Sequence, residues 1–195
     1  MNKTKMIIIS GLPCTGKTTI GRKLSLKYNL PFISKDDVKE SLFDSLGWKD
    51  REWSRKLGLA TYPILYYFIE AQLKAGRSFI IESNFDPRFD NDNFMKLKES
   101  YKFDSLVIQC RTEGKILLDR FIKRSNSGQR HEGHRDHLNT DEFRDKLLAG
   151  DLEVLDVGGE VINLDTTDIQ NISMDNIWSC LDRLLRNNSK TDKHG

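Results

Sequence analysis

Residues 11–18 read Gly11-Leu12-Pro13-Cys14-Thr15-Gly16-Lys17-Thr18. They satisfy G-x-x-x-x-G-K-[ST], the Walker A spacing. At average amino-acid usage this pattern arises by chance in on the order of one in a hundred chains of this length. The flanks make chance a poorer account still. Directly before it, Lys5 to Ser10 (KMIIIS) is apolar and β-branched, and reads as a buried strand ended by Gly11. Directly after it, Lys17 to Tyr28 reads as a helix with Ile20 and Leu24 on one face. A strand, a glycine-rich turn and a helix start let successive backbone N–H groups converge on phosphate oxygens, helped by the helix dipole. The expected nucleotide-binding set is Gly11, Pro13, Cys14, Thr15, Gly16, Lys17, Thr18 and Thr19. Lys17 is expected to reach the β- and γ-phosphates and the Thr18 hydroxyl to ligate Mg²⁺. Cys14 reads as a small loop side chain rather than a redox handle. ATP and Mg²⁺ are the expected cofactors.

Outward from this loop, short apolar runs alternate with longer amphipathic ones. Strands are expected at residues 31–34, 78–83, 105–110 and 161–164, and helices at 36–46, 52–75, 90–101, 113–125, 140–150 and 173–186. In the long helix, Trp53, Leu57, Ala60, Ile64 and Phe68 recur at helical spacing, and Pro63 is expected to kink or split it. Five strands separated by helices imply an α/β fold of the P-loop NTPase type. The expectation is a three-layer sandwich: a five-stranded parallel sheet, helices on both faces, and a helical or loop lid. Residues 1–186 are read as one domain, with the lid at about 119–139 and a polar tail at 187–195.

The bulk composition agrees with one core-forming domain. The chain has 195 residues, of which 37% are hydrophobic and 31% charged. Its longest apolar run falls short of the ~20 residues that cross a bilayer. The Met6-Ile7-Ile8-Ile9 run is also too short for a signal peptide. Three widely spaced cysteines argue against a disulfide framework and fit a reducing, cytoplasmic setting. A net charge of +2 is less lopsided than a dedicated nucleic-acid binder usually shows.

A phosphate loop alone does not separate a kinase from an ATPase. The segment Ile33-Ser34-Lys35-Asp36-Asp37-Val38-Lys39 places two aspartates at the C-terminal end of the second strand, the edge that faces the ligand crevice in a parallel sheet. A carboxylate there can accept the proton of an attacking hydroxyl. Acids in a first helical turn also favour the macrodipole, and Ser34 with Asp37 has the spacing of a capping box.

The runs GLPCTGKTT, ISKDDVK, IIESNFDP and FIKRSNSGQRH together resemble the small P-loop kinases. The likeness is nearest to the kinase domain of phage-type polynucleotide kinases. It extends to gluconate-kinase-like, zeta-toxin-like and chloramphenicol-phosphotransferase-like enzymes. It covers about residues 5–165 in element order, and only the first motif is specific by itself. The resemblance implies that Asp36 is the general base, with Lys35 and Lys39 where the polynucleotide kinases carry arginines. Lysine cannot make the same forked contacts, so a small-molecule acceptor is expected before a nucleic-acid 5′ end. The resemblance further implies that Glu82 is a Walker-B-like acid beside the metal and that Asn84 touches the substrate or the water shell of Mg²⁺. Asp37 and Arg88 are the other candidate substrate contacts.

Residues 119–137 combine Arg120, Lys123, Arg124, Arg130 and Arg135 with three histidines, His131, His134 and His137. The H-x-x-H-x-x-H spacing admits a zinc reading. The favoured one is a mobile lid whose Arg124 and Arg130 stabilise the transferring phosphate, positions that match the arginines of the resembling kinases. The absence of an N-K-x-D motif lowers the odds for a GTPase. The expected function is transfer of the γ-phosphate of ATP to a hydroxyl of a small molecule. Polynucleotide 5′-hydroxyl kinase, a sugar-nucleotide kinase of the toxin type, and a regulatory nucleotide-binding ATPase stand as alternatives.

Overall fold

The computed structural model describes residues 3–128, 130–138 and 140–186. The expected tail at 187–195 lies outside them. Five strands form one sheet: β1 (Lys5–Gly11), β2 (Phe32–Ser34), β3 (Phe79–Glu82), β4 (Asp104–Arg111) and β5 (Glu160–Asp165). Their order is β2-β3-β1-β4-β5 and every pairing is parallel. The order reverses beside β1, so the crevice at the sheet's C-terminal edge opens next to the loop that follows β1.

Strand β1 explains the layering. Its side chains alternate between faces, as the pleat requires. Met6 and Ile8 join one buried cluster with Leu65, Ile69, Phe94 and Phe103. Ile7 and Ile9 join the other with Ile20, Leu24, Ile177 and Leu181. One face is thus covered by α3 (Arg51–Lys74) and α4 (Pro87–Tyr101). The other is covered by α1 (Lys17–Tyr28) and α7 (Asp175–Arg186). A third cluster, with Leu12, Leu117, Phe121 and Leu147, joins the phosphate loop to α5 (Gly114–Asn126) and α6 (Thr140–Ala149). α2 (Lys35–Leu46) follows β2 directly.

Of the two outcomes expected at Pro63, a kink or a split, the split does not occur: α3 runs from Arg51 to Lys74 through it. Pro63 is exposed, and so is Leu59, whose carbonyl loses its partner to the proline ring. That carbonyl lies on a side where water can satisfy it. The buried stripe is also rotated from the one expected. Leu57, Thr61, Leu65, Ile69 and Leu73 face the core, while Ala60 and Ile64 are exposed. The helix carries apolar residues on more than one face, so periodicity alone admits more than one stripe.

The Ser34–Asp37 capping box is not formed. Ser34 is the N-cap of α2, but its side chain makes no capping hydrogen bond. The Asp37 carboxylate instead accepts from Arg22 Nη2 at 2.9 Å. The lid, read as having no apolar periodicity, nevertheless holds short regular elements. It contains two single 3₁₀ turns, Glu132–His134 and Asp136–Leu138. No helix among the described residues is long and apolar enough to cross a membrane.

Candidate active site

Gly11 sits at φ 145°. A Cβ there would stand 2.5 Å from the Cys110 carbonyl oxygen, so only glycine lets the loop leave β1 this close to β4. The loop then turns on itself. Thr15 Oγ1 donates to the Leu12 carbonyl at 2.9 Å, and Lys17 Nζ donates to the same oxygen at 2.8 Å. Gly16 caps α1 with no side-chain hydrogen bond. The first N–H groups of α1 therefore keep their capacity for an anion.

Glu82 ends β3 in register with both Ile9 and Ser34. That register brings its buried carboxylate to the loop. Thr18 Oγ1 donates to Glu82 Oε2 at 2.8 Å, and Lys17 Nζ lies 3.8 Å from Oε1. A hydroxyl and a carboxylate this close are hard oxygen donors, which suits Mg²⁺ coordinated by few protein ligands, phosphate and water. A triphosphate fits as well. Arg124 Nε and Nη2 are buried and have no hydrogen-bond acceptor among the described residues, Nη2 standing 3.8 Å from Asp136 Oδ2, a cost that an incoming anion would remove.

Two cavities meet at this point. One, of about 290 Å³, is lined by Pro13, Cys14, Gly16, Lys17, Thr18 and Thr19, with Arg120 and Arg124 opposite. The other, of about 430 Å³, extends from Lys17 and Glu82 past Asn84 to α2 and α3. Asp36 lines both.

Asp36 Oδ2 accepts from Arg130 Nη2 at 2.9 Å. Its Oδ1 has no hydrogen bond among the described residues. Burial alone would raise the carboxyl's pKa, but Arg130, His134 and Lys17 outweigh it and hold Asp36 well below its ordinary range. Arg130 is braced in turn by Asp136, with 2.7 Å between Nε and Oδ2.

The lid reaches Asp36 because it is docked on α2. His131 stacks on Phe43 with centroids 5.0 Å apart, and His134 meets the same ring edge-on at 5.3 Å. His134 is buried; its Nδ1 lies 3.0 Å from Arg130 Nη2 and its Nε2 3.0 Å from Glu40. The guanidinium can only donate, so Nδ1 accepts and Nε2–H donates to Glu40. Burial and Arg130 lower the pKa of His134 despite Glu40, consistent with this neutral tautomer. His131 Nε2 meets Asp44 at 3.2 Å. Among the described residues no three His, Cys, Asp or Glu side chains are grouped to hold a metal.

This docking is testable. A Cβ at Gly133 would fall 2.6 Å from the fully buried Phe43 ring. Gly133→Ala is expected to cost ~1–3 kcal/mol of docking and to speed limited proteolysis of the lid ~5-fold or more, with ATP affinity little changed. Acid should act in the same direction. The folded-state pKa of His134 is lowered from 6.5, so docking is fully supported above 6.5 and weakens as pH falls below it toward the folded value. Equal proteolysis rates in variant and parent, at neutral and at acid pH, would contradict the docked arrangement.

Of the expected site residues, the structure brings together the phosphate loop, Asp36, Glu82, Asn84, Arg124 and Arg130 around the joined cavities. Asn84 Oδ1 accepts from Lys35 Nζ at 3.2 Å. Two residues are placed elsewhere. Asp37 lines neither cavity and is half-exposed in its pair with Arg22. Arg88 is 74% exposed, clamped onto Asp86 through Nε and Nη2. It borders an apolar groove of about 870 Å³ that adjoins the larger site cavity at Leu59, Tyr62, Asn84 and Lys146. Arg51 and Arg55 on α3 carried no sequence signal of their own, and Lys39 on α2 was marked only as standing where the polynucleotide kinases carry an arginine. Lys39 and Asp36 are three apart on one helix, a hint available once Asp36 was singled out.

A parallel β2-β3-β1-β4-β5 sheet with a Walker A loop at its C-terminal edge defines a protein of the small P-loop kinase class. Residues 6–153 match the family described as the AAA domain, and the chain belongs to that family. A presumed kinase from Chloroflexus aurantiacus J-10-fl is 35% identical. The match covers 94% of this chain and 99% of that one, with a TM-score of 0.84. A sugar kinase from Janibacter sp. HTCC2649 is 21% identical over 94% of this chain and 95% of its own, with a TM-score of 0.54, a likeness of fold alone. No curated protein matches the chain.

Proposed function

We propose that the protein transfers the γ-phosphoryl group of ATP to a hydroxyl of a small-molecule acceptor. The observation that carries this reading is the position of Asp36 on the wall shared by the two cavities. A hydrolase needs only the phosphate-loop cavity and room for a water. A transferase needs a second cavity that meets the first at the γ-phosphate, with a carboxylate at the junction. The 430 Å³ cavity is of small-molecule size.

In this reading the loop amides and Lys17 hold the phosphates, and Thr18 and Glu82 hold Mg²⁺. The metal would neutralise phosphate charge. Asp36 Oδ1 orients the acceptor hydroxyl while Arg130 keeps Oδ2. The acceptor oxygen forms its bond to the γ-phosphorus as the bond to the β–γ bridging oxygen breaks. The hydroxyl proton passes to Asp36, and ADP leaves. A carboxylate with a depressed pKa is a weak base, but the loose transition state of phosphoryl transfer asks mainly for orientation and charge stabilisation. Arg124 and Arg130 would supply that stabilisation.

The test is a screen of labelled ATP against pooled nucleosides, sugars, antibiotics and 5′-hydroxyl oligonucleotides, with ADP release followed in parallel. A labelled small-molecule product, with ADP released in step with it, is the expected result. Label confined to oligonucleotides would make the protein a polynucleotide kinase. ADP release with no labelled product in any pool would make it an ATPase.

A further inference from the structure

The acceptor cavity holds more positive charge than a triphosphate explains. Eight cationic side chains and four carboxylates line it. Lys17, Arg124 and Arg130 lie at the phosphate end with Asp36, Glu82 and Asp136. The remainder, Lys35, Lys39, Arg51, Arg55 and Lys146, face a single carboxylate, Glu142. Arg51 takes that carboxylate in a forked pair, with Nε and Nη2 at 2.9 and 2.8 Å.

Lys39 is the informative residue. It is buried on α2, 8% exposed, and has no carboxylate partner within ion-pair distance among the described residues. Of its three N–H donors, one has an acceptor, Ser54 Oγ at 3.0 Å. Burial is the first cause that lowers its pKa, to about 8. Asp36 opposes that change, while Lys35, Arg51 and Arg130 reinforce it. The Phe43 ring centroid lies 5.2 Å from the ammonium, but two donors have no acceptor among the described residues, and a mostly buried ammonium is costly unless the cavity supplies water or a counter-charge. The wall beside it is open. At Gly58 the missing side chain leaves room for about one methyl group: a Cβ there would stand 3.6 Å from Lys39 Nζ, at ordinary contact distance. Arg55 is exposed and opens onto the same cavity; among the described residues it makes no hydrogen bond or ion pair, and the carboxylate it acts on is Glu142, already held by Arg51.

We infer that the phosphoacceptor carries an oxyanion group, a carboxylate or a phosphate, which seats between Lys39 and Arg55 over Gly58 while its hydroxyl faces Asp36. Neutral sugars and cationic amino sugars are disfavoured as acceptors. The word acceptor rests on the phosphotransferase reading; the anion site itself does not.

The experiment keeps the two apart. The full chain, saturated with Mg²⁺ and the non-hydrolysable analogue AMP-PNP so that the phosphate loop is filled, is titrated with inorganic phosphate in one arm and acetate in the other. The amide resonances of Ser54 and Gly58 are followed by NMR. Saturable shifts with at least one anion are expected. Arg55→Gln, at an exposed side chain, should weaken them ~10-fold or more, and Lys39→Gln should abolish them. Response to phosphate alone points to a phosphorylated acceptor, and to acetate alone to a carboxylic one. No saturable shift with either anion overturns the inference, as do shifts unchanged in Arg55→Gln. Failure of AMP-PNP to bind would overturn the phosphate-loop reading instead. The anion shifts would still be readable, because Ser54 and Gly58 lie outside the nucleotide cavity.

Discussion

Lys17→Ala is expected to reduce phosphoryl transfer to background and to weaken ATP binding ~10-fold or more, with the fold intact. The size follows from what Lys17 does when no phosphate is present. Its ammonium is buried, bonded to the Leu12 carbonyl at 2.8 Å and 3.8 Å from Glu82. A charge held there can exchange a neutral carbonyl for a phosphate oxygen without reorganising the loop. Charge-assisted bonds of this kind are roughly twice as strong as neutral ones. Removing one preorganised donor to a developing oxyanion costs ~10²–10³ in rate, and Lys17 serves binding as well. Calorimetric titration of ATP into both proteins, with product formation alongside, measures both effects. Unchanged affinity together with unchanged turnover would remove the basis for the phosphate-loop reading.

Asp36→Asn should leave ATP affinity nearly unchanged and lower kcat by ~10²-fold or more, the usual scale for loss of a general base. Asparagine keeps the shape and can still accept from Arg130, so the lid contact should survive. The carboxylate's pKa lies well below its ordinary range, so wild-type kcat should show no acid limb from Asp36 at mildly acidic pH. Asp37→Asn provides the control. Its pair with Arg22 is half-exposed on both sides, and such pairs contribute ~1 kcal/mol at most. It should change stability slightly and kcat little. If the two variants exchange behaviours, the base is the other aspartate.

Much of this was legible along the chain. The strand, loop and helix that bind phosphate are consecutive residues, and each local choice agrees with the next. Lys17–Tyr28 forms the expected helix, and Ile20 and Leu24 share its buried face. The five strands appear within a residue or two of where apolar runs were read. Glu82 is singled out by the resemblance to the small P-loop kinases, and its place at the end of a buried strand accounts for its position, because a parallel sheet presents strand ends to the crevice. The α3 face was misread because a long helix with apolar residues all round offers several stripes. Contact with α2, β3 and α4 selects among them.

The sequence by itself determined that this chain forms a parallel α/β sheet with a phosphate loop at its edge. Those features depend on backbone geometry and on the order of apolar and turn residues, both of which are local. Tertiary structure alone decided which aspartate faces the cleft. Asp36 and Asp37 are neighbours in sequence but about 100° apart around a helix, and packing of α2 fixes its rotation. It also decided that the lid docks, through His131, Gly133 and His134 on Phe43, contacts far apart in sequence that no periodicity reveals. It decided, too, which cations are spent. Arg88 is neutralised by Asp86, Arg51 by Glu142, and Lys39 by no carboxylate among the described residues. A charge becomes a binding group only when its counter-charge lies elsewhere, and pairing is a property of distances in space.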